Sequence, residues 1–208
     1  VVVAGASRGD LPIFEALLAR QPVSLDHADT QADDPAFWLY SSGSTGVPKG
    51  VVHRHRDIVH TVEGYAGGVL GMTDHDRCLS AAKLFFAYGL GNSLSFPLGV
   101  GGEAVVVSKR LGPDAAFELI ARTRPTIFFG VPTLFGAMLQ VEDAGTRYDL
   151  SSLRFCVSAG EALPAEIFER WRSRFGLEIL DGIGSTELLH IFISNRPGAC
   201  RPGSSGVE

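Results

Sequence analysis

Tyr40-Ser41-Ser42-Gly43-Ser44-Thr45-Gly46-Val47-Pro48-Lys49-Gly50 follows an apolar run at residues 37–40 and leads straight into Val51-Val52. Glycine lets a backbone approach an anion and turn its N–H groups toward it, Ser and Thr hydroxyls add donors, and a lysine brings mobile positive charge. A flexible Ser/Gly linker would need neither the Pro48-Lys49-Gly50 ending nor the immediate apolar return, so the stretch reads as a phosphate-holding loop. It is not a Walker A loop. That motif needs Gly-Lys followed by Ser or Thr, whereas Pro48 precedes Lys49 and Gly50 follows it.

Outward from this loop, short runs of Val, Ile and Phe alternate with segments of helical period, and no internal repeat interrupts them. Strands are expected at residues 37–40, 103–107, 126–129, 154–157 and 177–180, with helices near 58–70, 114–122, 132–139 and 164–175. Val1-Val2-Val3-Ala4 reads as an opening strand. Asp10 reads as the cap of a helix carrying Leu11, Phe14, Leu17 and Leu18 on one stripe, with Arg20 near its end. The fold class is α/β, layered sheets with flanking helices. Strands this apolar suit a sheet covered on both faces, with ligands outside the carboxyl ends of the strands.

Two further loops follow expected strands. Val157-Ser158-Ala159-Gly160 nearly fits the nucleophile elbow of a hydrolase, but Cys156 stands where that motif requires its first glycine. Asp181-Gly182-Ile183-Gly184 begins like a dinucleotide fingerprint. Glu187 then replaces the third glycine and would set a carboxylate beside a pyrophosphate without a metal, which that fingerprint does not explain.

Taken in order, the three loops resemble the adenylate-forming superfamily of acyl-CoA synthetases, firefly luciferase and peptide-synthetase adenylation domains. The resemblance implies that Ser41, Ser42, Gly43, Ser44, Thr45, Gly46 and Lys49 hold the phosphates of ATP. It implies that Gly160, Glu161 and Ala162, in Ser158-Ala159-Gly160-Glu161-Ala162-Leu163-Pro164, lie along the adenine, with Asp181, Gly182 and Ile183 beside them. Ile183 stands where many relatives carry an aromatic residue, so stacking on the adenine is expected to be weaker. Thr186 is implied to contact the α-phosphate and Glu187 to hold Mg²⁺; with Lys49 these form the implied catalytic set.

Leu84-Phe85-Phe86-Ala87-Tyr88-Gly89-Leu90-Gly91-Asn92 and Leu188-Leu189-His190-Ile191-Phe192-Ile193-Ser194-Asn195 closely resemble segments of benzoate-CoA ligases. There Ala87, Tyr88, Gly184, His190 and Ile191 would line a flat apolar pocket for an aryl carboxylate. Core packing is the ordinary fate of clustered aromatics, and the resemblance is what lifts Tyr88 and His190 above it. The implied reaction joins an aromatic acid to ATP as an acyl-adenylate and then to coenzyme A as a thioester. A transfer to a carrier protein, or a nucleotide-binding remnant without turnover, are the alternatives.

The rest of the chain bounds this reading. A net charge of −5, with no basic run longer than His53-Arg54-His55-Arg56, gives no footprint for nucleic acid or an anionic membrane. No apolar stretch is long enough to span a bilayer, and a cytoplasmic protein is expected. Cys78, Cys156 and Cys200 show no metal or disulfide spacing and should be reduced. His53 and His55, two apart, fit a solvated or supporting role rather than a metal site and are assigned no function. Glu166 and Arg170 belong to the wet face of a helix. The chain opens without Met and stops at Gly206-Val207-Glu208. Residues 1–208 are therefore expected to be the central part of an N-terminal AMP-binding domain, truncated at both ends. The resemblance implies that the superfamily's ribose-binding Asp, the hinge and a C-terminal domain with a catalytic lysine lie outside it, leaving the fragment inactive alone.

Overall fold

The computed structural model describes residue 4, residues 9–41 and residues 46–207, which fall into two units, Val1–Gln31 and Ala32–Glu208. Ser42, Gly43, Ser44 and Thr45 of the expected phosphate loop, and residues 1–3 of the expected opening strand, lie outside the described residues.

In the first unit a five-residue helix, α1 (Phe14–Leu18), starts at an Ile13 N-cap with no side-chain cap and buries none of its residues. Asp10 is not its cap. Pro12 disfavours helical geometry at Leu11, so the helix begins later than its apolar stripe suggests and Arg20 falls beyond its end.

The second unit opens with a two-stranded antiparallel sheet, β1 (Pro35–Ser41) and β2 (Lys49–Arg54), in which Trp38 faces Val52 and Ser41 faces Lys49. The expectation of strands covered on both faces does not extend to this pair. The chain folds straight back on itself, and Trp38, Tyr40 and Val52 remain exposed. Then come α2 (His55–Thr61), continued by a π-helical segment at Val62–Gly67; β3 (Arg77–Ser80); α3 (Ala87–Leu90); a second π-helical segment at Gly91–Ser95; α4 (Phe96–Val100); and β4 (Glu103–Val105). After these run α5 (Pro113–Thr123), β5 (Ile127–Gly130), α6 (Pro132–Met138), α7 (Ala144–Arg147), β6 (Phe155–Ser158), α8 (Ala165–Phe175), β7 (Ile179–Gly184) and β8 (Ile191–Ser194). Pro113 and Pro132 open their helices at the first turn, where a missing N–H costs nothing. Pro164 sits one place earlier than expected, as the N-cap of α8.

Six strands form one sheet in the order β4-β3-β5-β6-β7-β8, parallel except for the β7–β8 hairpin. Every residue of β5 and β6 is buried. Alternate side chains point to opposite faces. Phe128, Cys156 and Ile179 pack with Phe117, Phe135 and Trp171 of α5, α6 and α8. Phe129, Val157 and Leu180 pack with Tyr65, Leu70 and Phe96 on the other side. At the amino ends of the strands, Asp76 is 2% exposed and accepts bonds from Thr73 N–H at 2.9 Å, Thr126 Oγ1 at 2.7 Å and Arg154 at 2.7 Å. No helix among the described residues is long and apolar enough to cross a membrane.

Candidate active site

The chain leaves β3 for the edge strand β4 and returns to β5 on the opposite side of β3. The connections after β3 and β5 therefore part, and a crevice opens beyond their carboxyl ends. A cavity of about 610 Å³ occupies it, floored by small residues, Ala81 and Ala82 after β3, Val131 after β5 and Ala159 after β6.

Tyr88, on α3, forms one wall. Its hydroxyl donates toward two carbonyls, Gly130 O at 3.1 Å and Val157 O at 3.2 Å, at the ends of β5 and β6. Burial pushes the phenol well above its ordinary range, which keeps the hydrogen that both acceptors require. The hydroxyl is thus spent on the sheet, and the ring supplies the apolar wall.

His190 forms another wall and is 2% exposed. Its Nε2 lies 3.0 Å from Asn92 Oδ1 and 3.3 Å from Tyr88 O. A carbonyl can only accept, so Nε2 carries the hydrogen and Nδ1 is left as a bare acceptor, buried and unpartnered among the described residues. Burial drives the imidazole pKa down to about 3, against a small opposing effect of the Tyr88 bond, so the ring is neutral. The rings of Tyr65, Tyr88 and Phe96 enclose it at centroid distances of 5.2, 5.5 and 4.4 Å. A Cβ on Gly91 would sit 2.4 Å from His190 Cδ2, so only glycine leaves room for the imidazole.

The turn from β7 to β8 carries Thr186 and Glu187. Ser185 Oγ accepts from Leu188 N–H at 3.2 Å, and Thr186 O accepts from Leu189 N–H at 3.2 Å and from His53 Nε2 at 2.9 Å. Leu189 adopts φ 67°, a left-handed conformation that strains an L side chain.

All five expected acid-pocket residues, Ala87, Tyr88, Gly184, His190 and Ile191, line the cavity, together with Gly160 and Thr186. Gly160 makes the turn after β6 at φ 95°, which explains a glycine there. Glu161, Ala162, Ile183 and Glu187 are exposed and do not line it; neither do Ser41, Gly46 and Lys49, which belong to the β1–β2 hairpin. Gly182 is buried against Ile191. Asp181, implied to lie beside the adenine, does not line the cavity either. Its side chain is buried, with Oδ2 accepting from Ser205 Oγ at 2.9 Å, so the carboxylate supports the end of β7 from within.

The rival readings lose their geometry. Ser158 Oγ is sealed in the sheet without a partner among the described residues, whereas an elbow nucleophile stands exposed. Gly182 and Gly184 lead into antiparallel β8, so no helix N-terminus faces a pyrophosphate. Cys78, Cys156 and Cys200 are free thiols. No cluster of three or more His, Cys, Asp or Glu suited to a metal occurs among the described residues.

The description of the AMP-binding enzyme family matches residues 3–207, which takes in all three loops and both walls of the cavity. The chain belongs to the AMP-binding enzymes. Within that family it is 54% identical, over 99% of its length, to the benzoate–CoA ligase of Thauera aromatica. A solved benzoate CoA ligase from Burkholderia xenovorans LB400 superposes with a TM-score of 0.88 at 50% identity over 97% of this chain. An anthranilate CoA ligase solved with anthranoyl-AMP superposes at 0.93 with 43% identity over the whole chain. The chain spans 38% of the Thauera protein and 40% of each solved chain.

Sequence reasoning left out His53, which reaches the Thr186 turn, and the small residues Ala81, Ala82 and Ala137 that make room for a ligand. The signal for His53 was the period-two pattern of Val51-Val52-His53, which turns residue 53 away from the exposed Val52 once β2 is seen as a strand.

Proposed function

We propose that the intact protein carrying this chain activates benzoate or a close analogue with ATP, through an acyl-adenylate, to its coenzyme A thioester. One observation carries the reading: a single cavity gathers Ala87, Tyr88, Gly184, His190 and Ile191 with Thr186 at its rim. Its volume, about 610 Å³, lies within the range of small-molecule sites. Small residues and a neutral imidazole suit a flat apolar ring, with the carboxylate directed toward Thr186.

Attack of that carboxylate on the α-phosphate spreads negative charge over non-bridging oxygens. Thr186, Lys49 and the donors of Ser41, Ser42, Ser44 and Thr45 would stabilise it, and the cavity would hold the acid in place for attack. The exposed Glu187 carboxylate fits a Mg²⁺ held by one protein oxygen and the nucleotide phosphates, the usual arrangement for that ion. Gly160, Glu161, Ala162, Gly182 and Ile183 would border the adenine. Residues 1–208 would then be the central part of the N-terminal AMP-binding domain, giving no thioester by themselves. A cytoplasmic setting, which supplies ATP and coenzyme A and keeps the three cysteines as thiols, suits this chemistry.

The test is product analysis of the intact protein with benzoate, ATP, Mg²⁺ and coenzyme A. AMP and pyrophosphate formed only with an aryl acid support the reading, and dependence on free coenzyme A separates it from transfer to a carrier protein. ADP, or no acid-dependent product across a panel of carboxylates, would overturn it.

A further inference from the structure

We infer that His53 is a positioning residue that locks the Thr186 turn to the phosphate hairpin. This rests on the function proposed above for Thr186, Glu187 and Lys49.

The peptide group between Thr186 and Glu187 is planar. Fixing its carbonyl oxygen therefore restrains the plane and the two α-carbons from which the flanking side chains leave the backbone. Those two side chains are the ones proposed for the α-phosphate and for Mg²⁺. His53 Nε2 donates to that oxygen at 2.9 Å, across 133 residues of chain. Within its own turn Thr186 O receives only the longer bond from Leu189 N–H, 3.2 Å, and that residue is the strained one at φ 67°. The His53 bond, shorter than the turn's own, ties the Thr186 carbonyl from outside the turn.

The imidazole is itself held. It is 2% exposed, its ring lies 5.3 Å from that of Phe37 on the partner strand, and its Nδ1 lies 3.4 Å from Asp57 Oδ2. Asp57 Oδ2 in turn accepts Arg54 N–H at 2.9 Å, so its place is set by the start of α2. Lys49 stands four residues earlier on the same strand, at a separation of about 13 Å for an extended backbone. One rigid strand thus sets the distance from the lysine of the hairpin to the peptide of the Thr186 turn. A histidine held only by packing would leave Nε2 free to point elsewhere.

Two substitutions separate the bond from the packing. His53→Phe keeps a ring against Phe37 and removes the donor; His53→Gln removes the ring and keeps an N–H near the Nε2 position. In the intact protein, hydrogen exchange at the backbone amides of residues 186–190 should be at least tenfold faster in His53→Phe and within threefold of wild type in His53→Gln. The rate of acid-dependent AMP formation should divide the same way, with kcat down at least tenfold in His53→Phe and the KM for benzoate within twofold. If His53→Phe folds poorly, His53→Asn, whose amide stops short of the Thr186 carbonyl, should show the same exchange.

Wild-type exchange in the donor-less variants, or equal damage in His53→Gln and His53→Phe, would overturn the inference. The exchange measurement does not depend on turnover. A wild-type protein that activates no aryl acid would therefore refute the function proposed above while still deciding the role of His53.

Discussion

His190 Nε2 lies 3.0 Å from Asn92 Oδ1, a bond between residues 98 positions apart that ties the residue before β8 to the π-helical segment at Gly91–Ser95. The bond needs only the hydrogen on Nε2, whereas burial opposes any charge on the ring. Burial lowers the folded-state pKa to about 3 from an ordinary 6.5. As pH falls below about 6.5 the unfolded chain takes up the proton and the folded one does not. This contribution is therefore complete above 6.5 and lost toward pH 3, by at most about 1.4 kcal/mol per pH unit. His190→Gln, which can still donate to Asn92 but does not titrate, should lose less stability than wild type between pH 7 and pH 5. Urea midpoints of both proteins at the two pH values check this.

Gly91 gives the same histidine its space. Because a new Cβ would come within 2.4 Å of Cδ2 and 2.7 Å of Nε2, Gly91→Ala must push the imidazole out of its bond to Asn92. The expected cost is about 1–3 kcal/mol of overpacking strain. In the intact protein kcat/KM for benzoate should fall at least tenfold while the KM for ATP changes less than twofold. An unchanged kcat/KM would place the acid elsewhere.

How far these features could be read from residues alone differs element by element. The central strands were legible because Ile127-Phe128-Phe129 and Phe155-Cys156-Val157 are buried on both faces and so carry continuous apolar runs. β3 was not, since Arg77 opens it and only Cys78 and Leu79 carry the pattern; β8 was read only as pocket wall. The β1 run was legible as a strand but not as a hairpin, because strand pairing is a nonlocal choice that a single run does not encode. Within the site, residues that contribute side-chain volume to the cavity, such as Tyr88 and His190, stood out through the family resemblance. Asp181 was named only as a neighbour of the adenine and His53 was given no role, because whether a polar side chain faces a ligand or the protein depends on neighbours far away in the chain.

Asp76 gives a prediction at the opposite end of the sheet. Burial alone would raise its carboxyl, but the bonds from Arg154, Thr126 and Thr73 outweigh burial and hold it below the usual carboxylate range. Arg154→Met should leave the carboxylate buried without its cation, at a cost of about 3 kcal/mol, the low end for a broken pair because Arg154 is itself half-exposed. A folded-state carboxyl held low contributes stability above its ordinary pKa, near 3.8, and loses it as pH falls through the folded value. The deficit of Arg154→Met should therefore be full at pH 7 and shrink as pH falls through the variant's own folded value, which the lost Arg154 bond leaves higher, and then through the wild type's, as chemical unfolding across that range would show.

Asp181 should respond in the opposite sense. It is 4% exposed; Oδ2 accepts from Ser205, while Oδ1 is buried without a partner among the described residues. Desolvation raises its carboxyl, and the Ser205 bond, with the nearby backbone N–H groups of Leu163 and Gly182, recovers only part of the shift. The folded state therefore holds the proton more tightly than the unfolded state. Stability is greatest below the ordinary value, near 3.8, and declines as pH rises through the folded value. Asp181→Asn keeps an oxygen for Ser205 and removes the charge, so its thermal midpoint should exceed that of wild type at pH 7. At pH 3.5, where the wild-type carboxyl is already protonated, the two midpoints should converge. A variant less stable than wild type at pH 7 would mean that the charge is matched by a partner in the intact protein, and that Asp181 belongs to the site after all.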